Sequence, residues 1–179
     1  MANKTKWVLD KVHSELAFKV KHMMITNVKG IFNDYDAEIS TVDDDFKTAE
    51  INLNIKASSI DTNDTIRDNH LKSADFFDAE KFNEIKFKSK SLKLKKDNLY
   101  ELTGELTIKN ITKTVKFDAE FGGIVKDPWG NIKAGFTLEG KINRKDWELN
   151  WNSVLEAGGV LVGEEVKIMC EAELLKSVQ

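Results

Sequence analysis

In Val115-Lys116-Phe117-Asp118-Ala119-Glu120-Phe121, apolar and charged residues exchange at every position. A period of two marks a β-strand with one face on a core and the other in water. The same alternation recurs along the chain. Leu16, Phe18 and Val20 share a face, as do Ile51, Leu53 and Ile55, and Leu102, Leu106 and Ile108 with Gly104. Ala134, Phe136, Leu138 and Ile142 form a further set, and Val166, Ile168, Cys170, Ala172 and Leu174 another. Lys96-Asp97-Asn98, Lys109-Asn110, Asp127-Pro128-Trp129-Gly130-Asn131, Gly158-Gly159 and Gly163-Glu164 are turn signals between such runs. Long strands without amphipathic crossover helices predict an antiparallel sheet, and closing it into a barrel removes exposed edges. The fold class expected is mainly β: one antiparallel barrel of about eight strands, forming a single domain over residues 1–179.

A net charge of −3 with lysines and acids interleaved leaves no footprint for nucleic acid or for an anionic membrane. The single cysteine excludes an internal disulfide and a multi-cysteine zinc site. No apolar run approaches the length of a membrane span, so stable membrane insertion is not expected. Met1 to Lys6 lead into Trp7-Val8-Leu9 without an apolar signal region, and the expectation is a cytoplasmic protein.

The alternation stops at Ser58–Asp78. There, capping residues and charges mix with Ile66, Leu71, Phe76 and Phe77. Asp61, Thr62 and Asn63 are N-cap types, and Asp64 suits the positive end of a helix dipole. The reading is a helical insert at about 61–82: a short helix over 64–71, with further turns over 73–75 and 78–82. Such short helices need Ile66, Leu71, Phe76, Phe77 and Phe82 buried against the sheet.

The residues that carry chemistry are sparse. His13, His22 and His70 are too few and too scattered for an HxH or HExxH zinc pattern, and no metal site is assigned. Asp64, Asp68, Arg67 and His70 could make an acid/base cluster, but helical spacing reads them as a solvated face with a local ion pair. A hydrolase built on His13, His22, His70 and Asp68 is the rival reading. Cys170 lies on an apolar face and reads as an inert buried thiol. Gly158–Gly163 lacks the ending of a phosphate loop and reads as a turn. No enzyme activity is expected. Barrels of this size either fill their interior or hold one small ligand, and periodicity does not choose between these.

The choice comes from a resemblance. Asp10-Lys11-Val12-His13-Ser14, continuing through Phe18 and Val20 to His22, resembles the opening motif of the YceI-like, lipocalin-like polyisoprenoid-binding family. Val28-Lys29-Gly30-Ile31-Phe32, Ser59-Ile60-Asp61-Thr62, Arg67-Asp68-Asn69-His70-Leu71, Asp75-Phe76-Phe77, Gly104-Glu105-Leu106-Thr107-Ile108 and Ile142-Asn143-Arg144-Lys145-Asp146-Trp147 continue the match in order. The resemblance implies a lipocalin-like barrel around a hydrophobic channel, with an isoprenoid quinone or polyprenyl phosphate as ligand and no separate cofactor. It also implies a stress-related carrier role and a homodimer. The expected lining is Phe18, Val20, Phe32, Leu53, Ile55, Phe87, Leu106, Ile108, Phe117, Phe136, Trp147 and Trp151. Ile66, Leu71, Phe76 and Phe77 are expected to close the insert side. His13, Arg67 and His70 are the head-group candidates at the mouth. A third reading is a filled barrel acting only as an interaction module.

Overall fold

Strands form where the period of two runs and stop where turn residues interrupt it. A computed structural model describes residues 2–155 and 158–177. It contains β1 (Lys4–Leu9), β2 (Glu15–His22), β3 (Thr26–Phe32), β4 (Tyr35–Val42), β5 (Asp45–Lys56), β6 (Ile60–Asp61) and α1 (Thr65–Lys72). After the insert follow β7 (Glu84–Lys96), β8 (Leu99–Ile108), β9 (Ile111–Lys126), β10 (Ile132–Asn143) and β11 (Val162–Lys176).

Eight of the strands close a ring in the order β1-β4-β5-β7-β8-β9-β10-β11, with β11 returning to β1 through Leu9 opposite Leu174. The long β11 is shared. Its C-terminal end pairs with β1, and the rest pairs with β2 from Val162↔His22 to Glu171↔Glu15. The N-terminal part of β11, paired with the C-terminal part of β10, carries β2, β3 and the two-residue β6 beyond the ring, and these strands together make a ribbon on one side of the barrel. Inward residues alternate with outward ones on every long strand, which places the core inside.

The break between β1 and β2 is a built corner. Asp10 caps a single 3-10 turn over Lys11–His13 by accepting from the Val12 amide at 3.2 Å. The Ser14 hydroxyl accepts from the Glu173 amide at 3.0 Å, and Tyr35 donates to the Ser14 carbonyl at 3.2 Å. The chain thus passes from β4's neighbour to β3's neighbour without leaving backbone groups of β11 orphaned.

Three strand glycines are set by close approach: a Cβ on Gly140 would come within 2.2 Å of the Phe117 ring, and Gly30 and Gly104 are covered likewise. The Phe18 ring lies over Gly30, where a Cβ would come within 2.2 Å of it, and the Phe87 ring lies over Gly104 at 2.4 Å. The ring covers the bare backbone, a device that pins strand register.

The helix of the insert starts one residue later than the 64–71 read from the sequence. One helix forms, Thr65–Lys72, with the Asp64 carboxylate accepting from the Arg67 amide at 3.1 Å. Residues 73–82 make hydrogen-bonded turns, as expected there; Asp78 takes a left-handed φ of 48°, which stops helical propagation. Ile66 is not buried against the sheet but 85% exposed. Gly163 is not a turn residue; it lies inside β11, at the irregular start of its pairing with β2. Trp147 ends a 3-10 turn (Arg144–Trp147) and Trp151 lies in the loop beyond it.

Candidate functional site

The barrel interior holds an elongated cavity of about 510 Å³ with an overwhelmingly apolar lining. Along β11 its wall runs from Val162 through Val166, Ile168, Cys170 and Ala172 to Leu174. That is a strand path of about 40 Å at roughly 3.3 Å per residue. The volume falls within the usual range for ligand pockets.

One end is sealed by aromatics. Phe46, on β5, packs on Trp7 at a ring separation of 4.9 Å, on Phe136 at 5.0 Å and on Phe121 at 5.5 Å. Trp7 Nε1 donates to the buried Thr41 hydroxyl at 3.1 Å, so the polar edge of the plug is satisfied. At the opposite end, the exposed Ile66 and Lys21 also line the cavity, which marks the mouth. The insert and the loop after β10 meet there. His70 packs edge-on against Trp151 at 4.6 Å and against Phe76 at 5.2 Å, while its Nε2 lies 2.8 Å from Asp75 Oδ2.

Phe18, Val20, Phe32, Leu53, Ile55, Phe87, Leu106, Ile108, Phe117, Phe136 and Trp151 all stand on the cavity wall. Ile66, Leu71, Phe76 and Phe77 stand there too, contributed by the insert. Trp147 does not. It is 1% exposed and packed into the protein, its Nε1 donating to the Leu106 carbonyl at 3.0 Å. A buried indole needs such an acceptor, and the one it finds lies in the strand backbone.

The polar candidates divide. Arg67 and His70 line the cavity at its mouth. Arg67 is partly committed: Nε donates to the Thr62 hydroxyl and Nη2 to the Thr62 carbonyl, each at 2.8 Å. Asp68 accepts from the Thr62 amide at 2.8 Å and the Thr62 hydroxyl at 2.6 Å. Neither is therefore a free solvated charge; both fasten α1 to the chain that enters it. His13 is elsewhere. It sits on the outer corner between β1 and β2, its Nδ1 2.9 Å from Asp10 Oδ2 and 3.7 Å from Glu173 Oε2. Lys133 Nζ lies 3.4 Å from Asp10 and 3.0 Å from Glu173, so an ammonium already supplies the positive charge between these two carboxylates. The hydrogen bond with His13 holds the Asp10 carboxyl below its ordinary value against the opposing effect of burial, with Lys133 adding to the lowering.

The rival hydrolase set is not assembled as a whole: His13 stands apart on the outer corner, while His22, at the end of β2, and His70, on α1 with Asp68, both line the cavity. A filled interior does not fit the cavity.

Reading by period missed Arg144, which also lines the cavity and is 3% exposed. Nε donates to the Gly163 carbonyl at 2.8 Å and Nη2 to Val162 at 3.2 Å, while Nη1 donates to Trp151 at 3.0 Å and to Leu149. Burial lowers its pKa. The guanidinium fork joins the loop after β10 to the first residues of β11 (Val162 and Gly163) and so shapes the mouth. Its only signal was its place in the Ile142–Trp147 motif. Cys170 faces the cavity, and burial pushes its thiol up to about 12.

Solved structures share the fold. A Campylobacter jejuni YCEI protein superposes with a TM-score of 0.76 at 34% identity, covering 94% of this chain and 96% of that one. BcnA of Burkholderia cenocepacia gives 0.79 at 22% identity, covering 92% and 98%. A polyisoprenoid binding domain from Saccharophagus degradans gives 0.68 at 11% identity, covering 96% and 98%. In sequence, UPF0312 protein SA2479 of Staphylococcus aureus is 41% identical over 170 residues, 94% of this chain and 96% of that protein. The profile of the YceI-like domain matches residues 7–174, and the chain belongs to the YceI-like family.

Proposed function

We propose that this protein is a carrier that holds one isoprenoid lipid, an isoprenoid quinone or a polyprenyl phosphate, with its tail in the barrel. The observation that supports this is the one-ended apolar cavity: about 510 Å³, sealed by Trp7, Phe46 and Phe136 and open beside Arg67 and His70. The Saccharophagus degradans neighbour is called a polyisoprenoid binding domain; its likeness is one of fold, and the reading rests on the cavity.

The energetics are adequate. Burying one methylene is worth roughly 0.8 kcal/mol, so a five-carbon isoprene unit contributes around 3–4 kcal/mol gross. Micromolar affinity needs about 8 kcal/mol beyond an association cost of about 4–15 kcal/mol, which roughly four to six buried units supply. No bond is made or broken, and the lipid needs no further cofactor.

Native mass spectrometry of protein purified from cells is expected to show an added lipid mass. Delipidated protein is expected to gain thermal stability with ubiquinone, menaquinone or a polyprenyl phosphate. A midpoint that none of them moves would overturn the reading.

A further inference from the structure

The mouth end carries two features that the cavity does not explain. The first is apolar. The tip between β2 and β3 is Met23-Met24-Ile25; Ile25 is 77% exposed and both methionines are exposed. Met23 and Met24 take left-handed φ values of 52° and 63°, where glycine or asparagine is the ordinary choice. The Met23 amide donates to the Leu161 carbonyl at 2.8 Å, and Leu161 lines the cavity, so this tip is part of the rim. Val154, 81% exposed on the neighbouring loop, and Ile66 on α1 add two more apolar residues. They protrude from three separate segments.

The second feature is a row of charge. On the outside of the ribbon, Lys141 stands opposite Lys167, Lys167 opposite Lys19, and Lys19 opposite Lys29. Four like charges in register across four adjacent strands are unfavourable for the sheet itself. Glu165 and Glu15 offset the outer pair through ion pairs with Lys141 and Lys29. Among the described residues, Lys19 and Lys167 have no carboxylate within ion-pair distance. Lys21 lies between this row and the tip. The net charge of −3 averages over faces and hides this local cluster.

We propose that the mouth end docks on an anionic phospholipid bilayer, with Met23–Ile25 entering the interface and the lysine row meeting the lipid phosphates. The spacing fits. Lys19 is four residues from Met23, about 13 Å along the strand at roughly 3.3 Å per residue. Apolar segments that lie in an interface sink by about 5–10 Å, which brings flexible lysine side chains into the headgroup layer. The cavity then opens onto the bilayer, and an apolar tail passes between them without crossing water. This orientation rests on the proposed carrier function; the charge row and the apolar tip do not.

Flotation of the purified full chain with vesicles of phosphatidylglycerol and phosphatidylcholine tests the docking. Binding is expected, weaker with phosphatidylcholine alone and weaker with added salt. Lys19→Gln with Lys167→Gln should reduce it roughly twenty-five-fold, at about fivefold per lysine. Met24→Asn with Ile25→Ser should abolish it, and asparagine tolerates the left-handed φ, so folding is kept. Trp129→Ser, in the turn at the opposite end of β10, should change nothing. Wild-type protein that stays with the buffer, or loss of binding through Trp129→Ser, overturns the proposal. So does a tip that splits a dimer while vesicles recruit neither form. Quinone delivered from detergent and read by thermal shift separates the two readings: a retained shift with failed flotation sinks only the docking, and the reverse sinks only the carrier.

Discussion

Arg144 is a charge placed where charges are rarely found, and it answers to backbone alone. Its guanidinium serves carbonyls from two segments that the Val154–Val160 bridge brings side by side, Leu149 and Trp151 on one and Val162 and Gly163 on the other. An ammonium cannot span that fork. Arg144→Lys is therefore expected to cost about 3 kcal/mol or more, because charged hydrogen bonds are worth roughly 1.5–3 kcal/mol each and orphaned buried carbonyls add to the loss. The shift of the urea midpoint measures it. Cys170 makes an independent test of the interior. With its thiol pushed up to about 12, it is protonated at neutral pH. Alkylation of the native protein at pH 8 should run on the order of a hundredfold slower than that of free cysteine, and unfolding should restore the ordinary rate. Asp10 reports on the outer corner. Its carboxyl is held below the ordinary 3.8 first by His13. A depressed folded value means that its contribution is present above 3.8 and lost as the pH falls through the folded value. Asp10→Asn should make stability fall less steeply in that acid range, as read by denaturant titrations at several pH values.

At the scale of elements, the insert joins two kinds of residue with different duties. Asp64, Arg67 and Asp68 cap α1 and fasten it to Thr62, with Asp64 and Arg67 also reaching the cavity, whereas Leu71, Phe76 and Phe77 supply its apolar wall. Leu71→Asn or Phe76→Asn should accelerate lipid loss, while Asp64→Ala should cost about 1 kcal/mol of stability and leave retention nearly unchanged. A dilution assay for lipid release distinguishes them, and the reverse order would contradict the division. The β2–β3 pair makes a second element-scale test. Gly30→Val would displace the Phe18 ring that covers it, and the overpacking should cost at least about 1–3 kcal/mol.

For the molecule as a whole, the long strands were legible because a half-buried strand writes its burial as a period of two. Phe117, Phe136 and Ile168 could be assigned to the inside from that period alone. β6, with two residues, is too short to have a period, and its pairing with β3 is a tertiary event. The corner at Asp10–Ser14 was equally hidden. His13 looked like a polar group at a mouth, but it bonds to Asp10 three residues back and lies 3.7 Å from Glu173, a neighbour that only the folded sheet brings near. Trp147 belonged to the right motif and the wrong surface, since nothing local says whether an indole faces a void or a strand carbonyl. The lysine row was invisible for the same reason: it exists only once four strands are in register.

The aromatic seal of Trp7, Phe46 and Phe136 has a consequence for chain length. A channel with a floor is a gauge. A tail enters end first and stops where the rings meet it, so each added isoprene unit raises affinity only until the floor is reached. Affinity measured across a series of quinones of increasing tail length should climb and then level off. Replacing Phe46 by alanine should move that plateau toward longer tails by deepening the well.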